Sequence, residues 1–468
     1  MSFVFYDTET TGINTSFDQI LQFAAIKTDH ELREVDRFEI RSRLLPHVVP
    51  SPGALLVTGN NVSRILDASL PSHYTMVRDI RKKLNEWSPA IFIGHNSLNF
   101  DEHMLRQALY QTLHPPYLTN TNRNCRSDSL RIIQAVSLFL PDVLSIPTDD
   151  KRQPTYKLDR LAPANGFAHS AAHDAMGDVE ATLHMCRLVA ERADGHWSNF
   201  IRFAQKAAVL AFGQEEAVFC LTDFFYGKAY SWMVTVVGQN PENGSEILVF
   251  DLSLDPEDLR GLNENELIER LTKRPRPIRS LRANACPILL TYDDAPAQLR
   301  ATASDIEILR SRAKRISTDN EFSTRMIAAY LQTREQRSTS EHVEQQIYDS
   351  FTSDADYTVL TRFHDAQWRD RLALLKSVAD GRIATLGQRL IYTEAPDVMT
   401  AEVRKNYDIA LAKRLLAPGN SVPWTTLPKA IVETNDRLAT AAPSHAALLR
   451  DLRDYLTQRT EQTAALLA

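Results

Sequence analysis

This 468-residue sequence carries few features of a covalently stapled or membrane-bound protein. It has only four cysteines, Cys125, Cys186, Cys220 and Cys286, widely scattered and forming no CxxC pair. Neither a zinc site nor a disulfide framework is therefore expected, and a reducing compartment fits. No apolar run approaches the length of a bilayer span, so no membrane association is expected. The N-terminus runs straight into strand-like sequence with no basic region or cleavage site, so the expectation is no secretory signal and a cytoplasmic location. A basic excess is also missing, since the formal net charge is −6. The molecule as a whole does not advertise nucleic-acid binding; any such site must be a local basic path, and part of the acidity is available for a metal site. Internal repeats and low-complexity tracts are absent.

What is present is ordinary globular composition, 43% hydrophobic and 24% charged, in a chain too long for one core. The first part alternates strand-like and helix-like patterns. Strands are expected at Phe3–Asp7, Ile20–Thr28, Phe38–Leu44 and Ala90–Gly94. Helices are expected at Tyr74–Trp87, Glu102–Leu113, Asp128–Phe139, Lys157–Asn165 and Asp174–Arg192, with Pro141–Pro154 a polar loop. Antiparallel strands followed by helix-flanked strands predict a mixed sheet with helices packed on it. From about 195 short β-type runs take over: Phe219–Phe225, Tyr230–Val237, Glu246–Leu252 and Cys286–Thr291, with a helix inserted at Glu264–Thr272. The aromatic group Phe224, Phe225, Tyr226, Tyr230 and Trp232 reads as the core of this β-rich part, with base stacking as the other use. After Thr339 the pattern is helical, with an amphipathic stretch at Trp368–Ala379. The expected domains are 1–193, 194–338 and 339–468.

Against this background one detail is out of place. The apolar strand Phe3-Val4-Phe5-Tyr6 ends in two acids one residue apart, Asp7 and Glu9. Side chains alternate along a strand, so the two share a face, where they repel unless a cation lies between them. A strand end fraying into solvent is the plain alternative. Two further stretches bear on the choice. Asp101 follows the Ala90–Gly94 strand within GHNSLNFD, and Asp178 lies one turn into a helix behind His173, in HDAMGD. Asp178 shares a helix face with Ala181, Thr182 and Met185, the face expected to meet the sheet. His173 and Asp178 stand roughly 140° apart around an ideal helix, so His173 belongs to the loop before it. Hard oxygen donors select Mg²⁺ or Mn²⁺. Two such ions about 4 Å apart can hold the attacking and leaving oxygens of a phosphoryl displacement. A histidine near neutral pKa can take the proton from the attacking water.

The three stretches in this order, DTETTG (7–12), GHNSLNFDEH (94–103) and HDAMGDVEAT (173–182), resemble the DEDDh exonucleases. QILQFAAIKTD (19–29), PSPGALLVTG (51–59 with its flanking Pro50), YKLDRLAPANGFAHSAAHDAMGDVEAT (156–182) and VEQQIYDSFTSDAD (343–356) narrow the resemblance to bacterial exonuclease I. It implies an RNase H-like α/β domain, an SH3-like β-rich domain and an α-helical C-terminal domain. It also implies a 3′→5′ exonuclease that converts single-stranded DNA to 5′-mononucleotides in DNA repair or recombination, in the bacterial cytosol and nucleoid. Carried over by motif, Asp7, Glu9, Asp101 and Asp178 are ligands of two Mg²⁺ ions, with Mn²⁺ able to substitute, and His173 is the general base. Glu9 and Lys157 are implied as substrate contacts, although the family commonly has arginine at the position of Lys157 and lysine gives a point charge where arginine gives a fork. The implied partners are single-stranded DNA and the acidic C-terminal tail of single-stranded-DNA-binding protein, with the chain itself a monomer.

Other residues are read on their own chemistry. Thr10, Thr11 and Gly12 form a turn whose backbone can hold a terminal nucleotide, or an ordinary turn. Asn96 ties loop to loop or touches substrate. Phe100 stacks on a base or joins the core. Gln22 supports the acids from the second strand. Asp128 is a helix N-cap. The run Arg270–Arg282, followed by Arg310, Arg312, Lys314 and Arg315, is either a solvated face or a track for phosphates or an acidic peptide. Two competing readings stand beside the first: a proofreading or oligoribonuclease-type nuclease, and an inactive DNA-binding or partner-recruiting module.

Overall fold

A computed structural model describes residues 2–168, 174–225, 227–303, 305–335, 338–419 and 421–467. The N-terminal part is a five-stranded sheet of β1 (Ser2–Thr10), β2 (Ile20–Thr28), β3 (Glu34–Arg41), β4 (Ala90–Gly94) and β5 (Cys125–Asp128), in the order β3-β2-β1-β4-β5. β1 pairs antiparallel with β2 and parallel with β4, so the sheet is mixed and β1 is its centre. Alternation along β1 assigns its two faces. Phe3 and Phe5 pack with Val179, Ala181 and Met185 of the Ala175–Arg192 helix, while Val4 and Tyr6 pack with Met76, Val77 and Ile80 of the His73–Trp87 helix. Asp7 and Glu9 continue the odd-numbered face. They therefore point toward the helix that carries Asp178.

β1 runs three residues further than expected, through both acids to Thr10. β5 is an additional strand. The residues Cys-Arg-Ser-Asp carry no β-type pattern, but they extend the parallel edge beside β4.

The second part is an antiparallel sheet, β6 (Phe219–Phe225), β7 (Lys228–Gln239), β8 (Glu246–Asp251), β9 (Ile278–Arg282) and β10 (Ile288–Thr291), in the order β10-β6-β7-β8-β9. Its core is Phe203, Phe212, Phe219, Val234, Val249 and Leu289. The aromatic group expected to form that core does not. Phe225 is 48% and Tyr230 43% exposed, and Phe224 and Trp232 are only partly buried; Tyr226 lies outside the described residues. Trp232 packs only against the edge of that core and Phe224 against the adjoining cluster, while Phe225 and Tyr230 lie at the strand ends, past its covered part. β9 is also unexpected, because it lies inside the basic run 270–282.

From Asp354 the chain is helical, ending in the long Pro443–Ala465 helix. These helices close back on the first part: Leu427, Leu452 and Leu456 are buried in a cluster with Leu21, Val49 and Leu55. All four cysteines are free, and no helix among the described residues is long and apolar enough to cross a membrane.

Gly94, at the end of β4, permits the close approach of the loop that follows. A Cβ there would lie 2.5 Å from the Ser97 Cβ and 2.9 Å from the Tyr6 carbonyl oxygen. Gly94→Ala is therefore expected to destabilise the chain by about 1–3 kcal/mol, read as a lower urea midpoint.

Candidate active site

Asp7 and Glu9 at the end of β1 meet Asp178 from the covering helix, and one carboxylate oxygen of each lies within 4.8 Å of the others. Glu9 is 8% exposed, while Asp7 and Asp178 are half-buried. Asp101 opens the Asp101–Gln111 helix and is 4% exposed. It lies outside the group of three. Its Oδ1 accepts from the Thr8 backbone N–H (3.1 Å) and the Thr8 hydroxyl (2.5 Å). Pairing of β1 with β4 ends at Phe5 and Ile93, so Asp101 satisfies β1 backbone beyond that pairing. Thr8, between the two acids, thereby orients the fourth acid.

The cluster is held against its own charge. Burial and then the carboxylates of Asp101, Asp178 and Glu9 push Asp7 well above the usual carboxylate range. Burial, with Asp178 and Asp101, raises Glu9 to about 8. Burial raises Asp101 to about 7 against the opposing Thr8 hydrogen bond. Such groups resist ionising together near neutral pH unless a cation offsets their charge, and close oxygen donors are what a hard divalent ion requires. The residues therefore fit a divalent metal centre, with Asp7, Glu9 and Asp178 as its nearest donors and Asp101 adjacent.

A polar frame stands behind the acids. Gln22, opposite Glu9 in the sheet, donates to Asp174 (3.0 Å) and Glu39 (2.9 Å). Arg41 Nη2 lies 2.6 Å from Asp174 Oδ1. Burial opposes ionisation of Asp174, but Gln22 and Arg41 outweigh it and keep it below its ordinary value. Sequence reading found Gln22 but missed Thr8, Arg41 and Asp174. The available signals were a hydroxyl between the paired acids and the cross-strand position of Arg41 opposite Gln22.

The remaining expected residues fall as follows. His173 lies outside the described residues. The Thr10 hydroxyl donates to the Gly12 carbonyl (2.8 Å) and the Thr11 hydroxyl to Asp18 Oδ1 (2.9 Å). Asn96 has a left-handed backbone (φ 63°), and its N–H donates to Asp128 Oδ1. Asp128 is the N-cap expected of it, accepting from the Leu130 N–H, and it also accepts from the Leu98 N–H. It thus fixes the 95–98 loop. Phe100 packs partly against the core. Lys157 is exposed at the start of the Leu158–Ala164 helix. The Tyr156 carbonyl before it accepts from His95 Nε2 (2.8 Å), which joins this stretch to the second motif.

A cleft of about 890 Å³ leads from Asn96 and Asn99 across Arg131 to the β-rich part. Its far wall includes Arg276, Arg279 and Arg282 with Phe224, Phe225 and Trp232. Arg279 is tied down, 3.6 Å over Trp232 and paired with Asp251, whereas Arg276 and Arg282 are exposed. The later basic residues behave differently: Arg310 pairs with Glu307, and Arg312 and Arg315 with Asp255. The Arg312 and Arg315 pairs tie their helix to the β-rich part, whereas the Arg310 pair is solvent-exposed.

The family profile described as Exonuclease matches residues 4–185, and together with the acid cluster it defines a metal-dependent exonuclease. Two further profiles complete the chain: Exonuclease I SH3-like domain over 205–332 and Exonuclease I C-terminal domain over 341–459. The chain belongs to the exonuclease I family. It is 27% identical to Exodeoxyribonuclease I of Escherichia coli (strain K12) over 413 residues, covering 82% of this chain and 84% of that one. Among solved structures it resembles E. coli Exonuclease I in complex with a dA16 oligonucleotide, with TM-score 0.84, 23% identity, and 98% and 99% of the two chains covered. It also resembles the Exonuclease I of an SSB/Exonuclease I structure, with TM-score 0.82, 23% identity, and the same coverage.

Glu9 gives the site a pH signature. Its ordinary value is 4.5 and its folded value about 8, so across that window the folded chain binds more protons than the unfolded one. Metal-free stability from this site is therefore present at low pH and lost as pH rises toward about 8. Thermal melts in chelator should show a lower midpoint at about pH 9 than at about pH 6. Saturating divalent ion should remove the difference, and an unchanged difference would contradict metal occupancy.

Proposed function

We propose that the chain hydrolyses single-stranded DNA from its 3′ end, releasing 5′-mononucleotides, with two Mg²⁺ ions held by the acids at the end of β1. One observation carries this reading: Asp7, Glu9 and Asp178 converge in a chain that the Exonuclease profile and the two exonuclease I profiles together match over nearly its whole length. Asp7, on the central strand, with Glu9, Asp101 and Asp178 would supply the oxygen donors for the ions, and Mn²⁺ could substitute. Bound divalent ions polarise the scissile phosphate and lower the pKa of the attacking water. His173 takes the proton from that water. The turn Thr10-Thr11-Gly12, with Glu9, receives the terminal nucleotide from one side, and Asn96 and Phe100 from the other. Lys157 supplies a positive charge for a phosphate.

The cleft toward the β-rich part suits the rest of the strand. It pairs guanidinium groups with partly exposed rings, which is how sequence-tolerant single-strand binding is built. The matches to the SH3-like and C-terminal profiles favour exonuclease I over a proofreading subunit or an oligoribonuclease. The SSB complex of a relative supports an acidic tail of single-stranded-DNA-binding protein as partner. The chain is proposed to act as a monomer in the bacterial cytosol, with domains at 1–193, 194–338 and 339–468.

End-labelled single- and double-stranded DNA should show degradation of the single strand from the 3′ end, with mononucleotide products in Mg²⁺. Asp7→Ala should abolish release, and equal traces for wild type and variant would contradict the assignment. His173→Ala should cost about 10²- to 10⁴-fold in rate while metal binding survives. Loss of the ions with the rate retained at saturating metal would overturn its role.

A further inference from the structure

The turn after Glu9 is set by a side chain behind it. The Asp18 carboxylate accepts from the Thr11 hydroxyl (2.9 Å) and the Asn14 N–H (2.8 Å). It also lies against Gly12, where a Cβ would come within 2.5 Å of it. The loop that presents Asp18 is in turn gripped by the C-terminal helical part. Asn14 Nδ2 donates to the Pro423 carbonyl (2.8 Å). The Phe17 ring, 6% exposed, sits 5.5 Å from Trp424. The Arg414 guanidinium lies 4.2 Å over Trp424 and 5.6 Å from Phe17, and its carbonyl accepts from Trp424 Nε1.

A second limb reaches the other side of the site. Arg414 pairs with the buried Glu344 (3.0 Å), whose carbonyl accepts from Gln107 Nε2 (2.9 Å) on the helix that Asp101 opens. Gln111 of the same helix donates to the Ser16 carbonyl (3.0 Å). One knot of aromatic and ionic contacts therefore braces both the Thr10–Gly12 turn and the Asp101 helix.

We propose that Trp424, with Arg414 beneath it, is a positioning residue of the nuclease site: it holds the Gly12–Asp18 loop and through Asp18 sets the turn that receives the terminal nucleotide. The helical part is on this account a component of substrate placement at the reacting end, and not only a wall for DNA farther away. The inference rests on the reading of the acid cluster as the hydrolytic site.

The test uses the full chain with a trinucleotide, a substrate that engages the reacting end and little of the cleft. Trp424→Ala should raise KM about tenfold with kcat changed far less, because a displaced turn loosens placement and leaves the acids intact. Trp424→Phe, which keeps a ring over Phe17, should restore most of the loss. Asn14→Ala, which removes the bond to Pro423 from the opposite side of the contact, should shift KM in the same direction by a smaller factor. Trinucleotide affinity in Ca²⁺, by fluorescence anisotropy, should fall in parallel with the rise in KM.

Unchanged KM and affinity in folded Trp424→Ala would overturn the proposal. So would a fall in kcat that tracks a lower melting temperature and is not rescued by Phe, since that marks a role in stability alone. If wild-type chain released no nucleotide, the hydrolytic reading would fail; the anisotropy comparison would still decide the positioning role, parallel losses supporting it and equal affinities overturning it.

Discussion

The structure is organised around a repulsion. Asp7, Glu9 and Asp178 bring carboxylate oxygens within 4.8 Å of one another, at the end of a strand whose preceding residues are fully apolar. Partial burial weakens the screening of these charges by water, so ionising all three near neutral pH carries a cost that a bound cation removes. Everything nearby maintains that closeness. The odd-numbered face of β1 aims two acids at one helix, and Ala181 and Met185, fully buried, bring that helix down on the sheet. Thr8 holds Asp101 beside them. Gln22 and Arg41 bind Asp174, which adds its own charge to that felt by Asp7 and Glu9. A fold that only needed stability would place none of these acids here.

The two later parts of the chain serve the same point from different distances. The β-rich sheet is joined to the nuclease sheet by Arg126, which donates to the Asn284 carbonyl while pairing with buried Glu102, and by Arg131, which pairs with Asp223. These contacts set the walls of the cleft. The helical part reaches closer, to the loop directly behind the acids and to the Asp101 helix. The β-rich part thus bounds the cleft and the helical part contacts the loop behind the acids, while the acids stay in the first part.

Much of this was legible in the sequence because the relevant signals are local. Ile20–Thr28, Ala90–Gly94 and Glu264–Thr272 have the bounds their patterns predict, and the acids were picked out by their conflict with strand chemistry. What was missed depends on tertiary context. β5 is four residues with a polar pattern, stabilised by pairing with β4. β9 was hidden in a basic run because Arg279 and Arg282 alternate with apolar Ile278 and Leu281, and the eye follows the charge. The aromatic group of β6 and β7 reads as core by residue type, but Phe225 and Tyr230 lie past the covered part of the two strands and stay exposed. Thr8 gave no signal of its own, since its role exists only once Asp101 has folded beside it. The clamp at Trp424 joins residues some four hundred positions apart, and no local pattern announces such a contact.

The central claim is that these acids together hold divalent metal. Anomalous diffraction from a crystal soaked in Mn²⁺ tests it most directly. The account predicts a strong peak among the carboxylate oxygens of Asp7, Glu9 and Asp178. A map with no anomalous density there, in crystals that diffract well enough to show bound manganese, would contradict it.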